Sequence, residues 1–226
     1  MFIISKTLRK LSRYIQQSHT SFERHNAEYT QAGKLQIERD VAAKYRSENV
    51  FNDQTSKLAT LLTANPGARI WAVDIGSGAG WCSAELAHYF KQVIAIEPSQ
   101  SAVAIAKQLY PQSLYPNIVW NIGMAEDVLA TLAFTAPVVF VTNVVFSHLR
   151  DAEVRTICRQ IDTLAPCGSL LSFNEIWGPI WHQNMWHVRT QEWWQQQLPT
   201  WKLDFHGPQL SESPKYNRGI HGIKRG

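Results

Sequence analysis

Cysteine, charge and long apolar runs are all scarce in this chain of 226 residues. There are three cysteines, an odd number without CxxC spacing, so neither a disulfide framework nor a zinc site is expected. No apolar run approaches the roughly 20 residues of a membrane-spanning helix. The opening apolar residues are followed at once by Lys6, Arg9, Lys10 and Arg13, which is not the order of a secretory signal. We therefore expect a cytoplasmic protein without a transmembrane segment.

The net charge of +4 is small and unevenly distributed. Residues 1–50 hold nine Lys/Arg against five Asp/Glu, and residues 201–226 hold five against two. Basic ends suit nucleic acid, anionic lipid or an anionic substrate, and they equally suit a solvated surface. Because the excess is modest, nucleic acid is not the expected partner.

The first 66 residues predict a helical cap. Ile4, Leu8, Leu11 and Ile15 recur at helical spacing, so residues 2–17 are predicted to form a basic amphipathic helix. Such a helix either packs on the domain or makes weak contact with a membrane surface. A second helical pattern ends before Asn65-Pro66-Gly67, and residues 67–226 are predicted to form the main domain.

From residue 70 onward, short apolar runs alternate with helical patterns. Five strands are predicted, at Ile70–Ile75, Val93–Glu97, Asn117–Asn121, Pro137–Thr142 and Ser169–Glu175. The helices between them are predicted at about 80–90, Ser99–Leu109, 126–133 and 151–164. After these come a helix at Gln191–Gln197 and strands at Trp201–Phe205 and Arg218–Lys224. Strict alternation predicts an α/β domain with a parallel, doubly wound sheet and helices on both faces.

The turn after the first strand is the most informative segment. It reads Val73-Asp74-Ile75-Gly76-Ser77-Gly78-Ala79-Gly80-Trp81. Its glycines let a ligand approach the backbone, and the helix that follows begins with unpaired N–H groups. The dinucleotide fingerprint is G-x-G-x-x-G, whereas here the third glycine comes one residue early. Asp74 would also repel a pyrophosphate, so a ligand without phosphate is favoured.

Glu97 ends the second strand, 19 residues after Gly78. An acidic residue at this position can hold the two hydroxyl groups of a ribose. Because a dinucleotide and other nucleoside cofactors share that ribose, Glu97 does not distinguish between them. The spacing of the glycines does.

Five segments resemble motifs of the class I S-adenosylmethionine-dependent methyltransferases. Asp74–Gly80 resembles the first motif and Ile94–Ser99 the second, and Gly123–Asp127, Val141–Leu149 and Leu164–Leu170 follow in the family's order. The resemblance covers about residues 70–177. It implies a Rossmann-like, seven-stranded sheet, mostly parallel with an antiparallel C-terminal strand. It also implies S-adenosylmethionine as cofactor and methyl transfer as the reaction.

The first two motifs imply half of the cofactor site. By this resemblance Gly76, Gly78 and Gly80 belong to the cofactor-binding turn, and Asp74 lies near the amino-acid end of the cofactor. Glu97 would hold the ribose hydroxyl groups.

The later motifs imply the other half. By the same resemblance Met124, Ala125 and Glu126 line the adenine pocket, while Asn143 and Val144 lie beside the methionine portion. The family often has Asp where this chain has Met124. The adenine amino group therefore needs Glu126 or backbone as its partner.

Transfer to a hydroxyl group requires a residue that accepts its proton. His148, six residues after the fourth strand, and Glu175, at the end of the fifth, are the candidate catalytic residues. Glu175 could instead orient the acceptor or pair with a structural partner. His182 and His187 are five residues apart and would not share a helical face, so no metal is predicted.

Six of the nine tryptophans lie between Trp177 and Trp201. They suit a stacking surface for the acceptor, an ordinary core or an oligomer contact, and residues 177–215 are assigned to the acceptor side. Near the C-terminus, Arg218 and His221 suit either an anion-binding edge or a solvated last hairpin. The oligomeric state is not predicted.

The function expected from the sequence is methyl transfer to a small polar metabolite or glycan, at oxygen. Two alternatives stay open. One is a tRNA or rRNA methyltransferase, although no recognisable RNA-binding module is present. The other is a non-catalytic scaffold that binds S-adenosylmethionine.

Overall fold

A computed structural model describes residues 58–175, 177, 181–183, 186–206 and 218–226. The predicted helix over residues 2–17 and most of the predicted cap over residues 1–66 lie outside the described residues. The described end of that region, residues 58–64, is a helix, α1. Its Leu58 and Leu62 are buried in an apolar cluster with strand residues, so this part packs directly on the sheet.

The strands and helices alternate as the sequence predicts. The strands are β1 Trp71–Ile75, β2 Gln92–Glu97, β3 Ile118–Ile122, β4 Val138–Asn143, β5 Leu170–Glu175, β6 Trp181–Gln183, β7 Trp186–Val188, β8 Trp201–His206 and β9 Arg218–Lys224. After α1 the helices are α2 Trp81–Leu86, α3 Gln100–Leu109, α4 Ala125–Leu129, α5 Asp151–Leu164 and α6 Gln191–Gln197. Short 3-10 turns cover Pro66–Arg69 and Phe146–His148.

Seven strands form one sheet in the order β3-β2-β1-β4-β5-β9-β8. The pairs among β1 to β5 are parallel, and β9 runs antiparallel to both of its neighbours, β5 and β8. The predicted fold, including its antiparallel C-terminal strand, is therefore confirmed. The strand order reverses between β1 and β4, and in such sheets the crevice at that point takes the ligand.

Both faces of the sheet are covered, which explains the continuous apolar runs of the central strands. On one face, strand residues such as Val73 and Phe140 join Ile157 of α5 in an apolar cluster. On the other face, Val139 packs with Leu86 of α2 and with α1. The central strands are thus held firmly, and their carboxyl ends present Glu97, Asn143 and Glu175 at one edge.

Two predicted helices are longer than the observed ones. The helix predicted over residues 80–90 ends at Leu86, because the chain must turn within five residues to begin β2 at Gln92. The helix predicted over residues 126–133 ends at Leu129, where Thr131 and Leu132 donate to carbonyls three residues back and tighten the last turn. The sequence did not predict the β6–β7 hairpin, whose strands have three residues each.

Among the described residues, no helix combines the length and the apolar character needed to cross a membrane.

Candidate active site

Two glycines of the turn after β1 each leave room for a different neighbouring side chain. Gly76, Gly78 and Gly80 all have left-handed φ values, of 71°, 52° and 85°, which L side chains rarely adopt. A Cβ on Gly76 would lie 2.4 Å from Cγ2 of Val145, in the segment after β4. A Cβ on Gly80 would lie 2.4 Å from Cη2 of Trp120, on β3. The missing Cβ of Gly76 therefore makes room for the side chain of Val145 at the switch point, whereas that of Gly80 allows α2 to begin close against β3.

Glu97 is buried and joins the first two motifs. Its Oε2 accepts a hydrogen bond from the backbone N–H of Gly78 at 3.0 Å, and its Oε1 accepts one from the N–H of Ser99 at 2.8 Å. The carboxylate thereby fixes the glycine turn relative to the end of β2. This is the edge of the sheet where a ribose would lie.

Asp74 is also buried, one strand away on β1. Its Oδ2 accepts a hydrogen bond of 2.6 Å from the hydroxyl group of Ser83 in α2. Burial raises the pKa of Asp74 from 3.8 to about 6, and the charge of Glu97 adds to this, while the bond from Ser83 acts in the opposite direction. Through this hydrogen bond Asp74 links β1 to α2, the two elements on either side of the glycine turn.

A cleft of about 390 Å³ opens at the switch point between β1 and β4. One wall and the floor come from the first three strand ends and the start of α4, namely Ile75, Gly76, Ile96, Pro98, Met124, Ala125 and Glu126. The opposite wall comes from the segment after β4 and from α5, namely Val145, Leu149, Glu153 and Ile157.

Four predicted cofactor residues, Gly76, Met124, Ala125 and Glu126, line this cleft. The residues of the opposite wall were not assigned from the sequence. The spacing of Glu153 and Ile157, four apart on α5, could have identified one side of that wall, because residues four apart share a helix face.

The predicted residues Asn143 and Val144 lie where β4 ends. Oδ1 of Asn143 accepts a hydrogen bond from Nδ2 of Asn174 at 2.8 Å, and the N–H of Val144 donates to the Asn174 carbonyl, also at 2.8 Å. Val144 has a φ of 59°, which is an outlier for a β-branched residue. Strained backbone of this kind persists only where its surroundings hold it in place.

Glu175 is fully buried at the end of β5 and is surrounded by donors. Its Oε1 accepts hydrogen bonds from the N–H groups of Val145 and Phe146 and from the hydroxyl group of Thr142, at 2.8, 3.0 and 2.8 Å. Its Oε2 accepts from the N–H and the hydroxyl group of Ser147, at 3.1 and 3.0 Å. Burial raises the pKa of Glu175, and the bonds from Phe146 and Thr142 counteract this. The carboxylate is thus bound to the segment after β4 and does not line the cleft.

Arg189, which the sequence did not single out, holds the same segment from its carbonyl side. Its guanidinium donates to the carbonyls of Phe146 and Leu149 at 2.7 and 2.6 Å, and to Oδ1 of Asp151 at 2.9 Å. Burial lowers the pKa of Arg189, and Asp151 counteracts this. A lone arginine among tryptophans gave no signal, because its partners are about 40 residues away.

His148, the first candidate base, ends the 3-10 turn after β4. Its side chain is exposed, and its backbone N–H donates to the carbonyl of Val145 at 3.0 Å. His182 and His187 are paired by backbone register across the β6–β7 hairpin. Among the described side chains, no group of three or more His, Cys, Asp or Glu residues has the arrangement of a metal site.

Several tryptophans of the predicted acceptor-side segment belong to the core. Trp177, Trp194 and Trp201 are each less than 5% exposed. The ring of Trp194 packs 5.6 Å from that of Phe146, between centroids. Trp194 therefore packs against the segment after β4, and none of these three buried tryptophans forms an open stacking surface.

A second pair of histidines lies farther along the sheet. The ring centroids of His206 on β8 and His221 on β9 are 5.2 Å apart, and Nε2 of His206 lies 2.9 Å from Oδ2 of Asp204. His221 is buried, so the C-terminal strand is not the solvated hairpin that one interpretation of the sequence offered.

Comparison with known proteins identifies the class. Residues 72–168 match the family model of a methyltransferase domain. No curated protein matches the chain in sequence. The solved structure of CalS10 from Micromonospora echinaspora, described as an amino pentose methyltransferase, has a TM-score of 0.63 and 12% identity, covering 82% of this chain and 96% of that one.

Two further structures have the same fold. DesVI from Streptomyces venezuelae has a TM-score of 0.64 and 10% identity over 82% of this chain and 96% of that one. YcgJ from Bacillus subtilis has a TM-score of 0.57 and 15% identity over 74% of this chain and 97% of that one. At these identities the likeness concerns the fold.

The sheet order, the glycine turn at the switch point and the matched domain together define a Rossmann-like methyltransferase. Residues 72–168 therefore form a methyltransferase domain, and one of the structures of the same fold, CalS10, is described as bound to S-adenosylmethionine, the cofactor that the sequence motifs imply.

The residues of the cleft fit that cofactor. The cleft has apolar walls, which suit a flat adenine ring. Glu97, the residue predicted to hold the ribose, is a buried carboxylate between Ile96 and Pro98, two residues that line the cleft.

Proposed function

We propose that this enzyme transfers a methyl group to a hydroxyl group of a small polar metabolite or glycan in the cytoplasm. The observation that carries the proposal is the position of His148. Its exposed imidazole follows β4 and stands in sequence between Val145 and Leu149, two residues that line the cleft. The cysteines of the described residues are free thiols, which favours a reducing compartment.

The cofactor would be held from two sides. Glu97 would accept hydrogen bonds from both ribose hydroxyl groups, because a carboxylate oxygen can accept more than one bond. Met124 and Ala125 would contact the adenine, and Glu126 or nearby backbone would bond its amino group. Gly78, which has no side chain, would let the backbone of the turn approach the cofactor closely, and Gly76 would belong to the same turn.

The methionine portion would lie between β1 and β4. Asn143 and Val144 would flank it at the end of β4, and Asp74 would order the turn from the β1 side. When bound, S-adenosylmethionine supplies a methyl group on a positively charged sulfur. The chain supplies alignment, which makes up a large part of the rate enhancement in displacements of this kind.

His148 would accept the proton of the acceptor hydroxyl group as the oxygen attacks the methyl carbon and the carbon–sulfur bond breaks. An imidazole has an ordinary pKa of about 6.5 and is therefore available as a base at neutral pH. The similarity to CalS10, which acts on an amino pentose, supports a sugar-like acceptor. The predicted acceptor side is residues 177–215.

The acceptor class is tested with radiolabelled S-adenosylmethionine and size-fractionated cell extract. We expect label in the low-mass or glycan fraction, in a form that withstands protease and ribonuclease. Label in a ribonuclease-sensitive fraction would favour the RNA methyltransferase. Tight cofactor binding without transfer to any fraction would favour the scaffold.

The base is tested with His148→Ala in the labelled fraction. We expect turnover to fall by about 100–10,000-fold, as for loss of a general base, with unchanged affinity for S-adenosylhomocysteine. His88→Ala is the matched control, because His88 is an exposed histidine after α2 that contacts Tyr115. Full activity of His148→Ala would remove the base from this position and favour a nitrogen acceptor, which needs no such base.

A further inference from the structure

The six residues after β4, 144–149, are held from both sides by buried groups of opposite charge. On the N–H side, Glu175 accepts from three successive amides, those of Val145, Phe146 and Ser147. Consecutive N–H groups that converge on one anion form a nest. The carboxylate of Glu175 occupies this nest, in place of a ligand.

On the carbonyl side, Arg189 binds the oxygens of Phe146 and Leu149. Its guanidinium is 2% exposed and lies 4.9 Å from the ring centroid of Trp193. Both charges are therefore desolvated and act on the same short segment, from β5 on one side and from the chain after β7 on the other.

The segment that they hold forms one wall of the cleft. Val145 and Leu149 line it, and the side chain of Val145 fills the space above Gly76. Val144 keeps its left-handed backbone at φ 59° although Val disfavours it. The strain at Val144 has to be held by neighbours, and the bonds to Glu175 and Asn174 are the observed restraints.

We propose that Glu175 and Arg189 are positioning residues for methyl transfer, which hold residues 144–149 in the conformation that closes the cofactor cleft. The proposal rests on the proposed place of Asn143 and Val144 beside the cofactor. It replaces proton transfer as the role of Glu175, since both of its oxygens already accept bonds from the segment.

The test measures binding of S-adenosylhomocysteine by calorimetry, with the full chain and no acceptor. Glu175→Gln keeps the size of the side chain but turns an NH₂ group toward backbone donors, so the nest cannot close. We expect affinity to fall about tenfold, as for the loss of hydrogen bonds to a charged group. Arg189→Met, which keeps the length of the stem, should lower affinity by a similar factor.

The double variant is the decisive measurement. If both residues act through one segment, Glu175→Gln with Arg189→Met should bind about as weakly as the weaker single variant. Losses that multiply would mean independent effects and would overturn the shared role.

Ser169→Ala is the matched control for general loss of stability. Ser169 is buried just before β5, at the amino ends of the strands and so at the end opposite the cleft. Its hydroxyl oxygen accepts a hydrogen bond from the N–H of Val138 at 3.1 Å. This variant should lower the melting temperature and leave affinity unchanged. Should Glu175→Gln fail to fold, Thr142→Val removes one donor to Glu175 with little change of shape, and its affinity should fall about two- to fivefold.

Unchanged affinity in Glu175→Gln would overturn the proposal, and so would unchanged affinity in Thr142→Val where the first variant fails to fold. Unchanged affinity together with turnover lost in a separate assay, with the labelled cofactor and the acceptor fraction, would identify Glu175 as a base instead. Because the measurement uses no acceptor, it does not depend on whether the methyl group goes to a hydroxyl group.

Discussion

Glu97 Oε2 lies 3.0 Å from the backbone nitrogen of Gly78, which donates a hydrogen bond to it across 19 positions of sequence. The residue proposed to hold the ribose is therefore also the residue that fixes the glycine turn. A substitution at Glu97 acts on both, so the two contributions have to be separated by changing the ligand as well as the protein.

The first prediction concerns this ribose contact. Glu97→Gln should weaken S-adenosylhomocysteine binding by about 1.5–3 kcal/mol, the range for hydrogen bonds to a charged group. Calorimetry with the 2′-deoxy form of the ligand should show a smaller loss, because one of the hydroxyl partners is gone. Equal losses for both ligands would assign the whole effect to the turn. Glu192→Gln, at the start of α6, is the control.

The second prediction concerns pH. The folded-state pKa of Asp74 is about 6 against 3.8 in the unfolded chain, so the native state binds more protons between these values. The free energy of unfolding should therefore fall as pH rises from about 4 to about 6, by at most about 3 kcal/mol from this group. Asp74→Asn should flatten that part of the curve. Urea unfolding at several pH values measures it, and parallel curves for parent and variant would contradict the assignment.

The third prediction separates Gly76 from Gly80. An added Cβ clashes at 2.4 Å in both cases, with Val145 at Gly76 and with Trp120 at Gly80. Both Gly→Ala variants should lose stability, by about 1–3 kcal/mol each, as for overpacking. Gly76→Ala should also weaken S-adenosylhomocysteine binding, whereas Gly80→Ala should not. Equal affinities of the two variants for S-adenosylhomocysteine, measured well below both melting temperatures, would contradict this difference between Gly76 and Gly80.

The fourth prediction concerns Met124, at the N-cap of α4. Its side chain makes no capping bond, although Asp is among the best N-cap residues. Met124→Asp should raise the stability by about 0.5–2 kcal/mol in thermal unfolding. The Met124→Asp variant should also prefer S-adenosylhomocysteine over its inosine analogue, which lacks the adenine amino group, more strongly than the parent does. An unchanged preference would mean that the adenine amino group does not lie near residue 124.

The sequence predicted those strands and turns that depend on residues close together along the chain. Apolar runs and the glycines predict β1, β2, β4 and β5 because buried parallel strands have continuous apolar character. The turn before Trp81 was predicted because its glycines lie close together in the sequence. The hairpin of β6 and β7 was missed because two strands of three residues each carry too short a pattern.

The role of Glu175 could not be predicted in this way. A carboxylate at the end of a strand can accept a proton, bind an acceptor or cap a neighbouring turn. Its partners Val145 and Ser147 lie about 30 residues away and come close only because β4 and β5 are adjacent strands. The same holds for Arg189 and its carbonyl partners.

The sequence by itself predicted the sheet, because apolar periodicity and strand ends act along the chain, and its motifs carried the resemblance that implies the family and the cofactor. The tertiary structure decided how the site is built, including the wall of Val145 and Leu149 and the two charges that hold it. The physical reason is that hydrogen bonds and burial act between neighbours in space. The reversal of strand order between β1 and β4 makes neighbours of residues that the sequence keeps far apart.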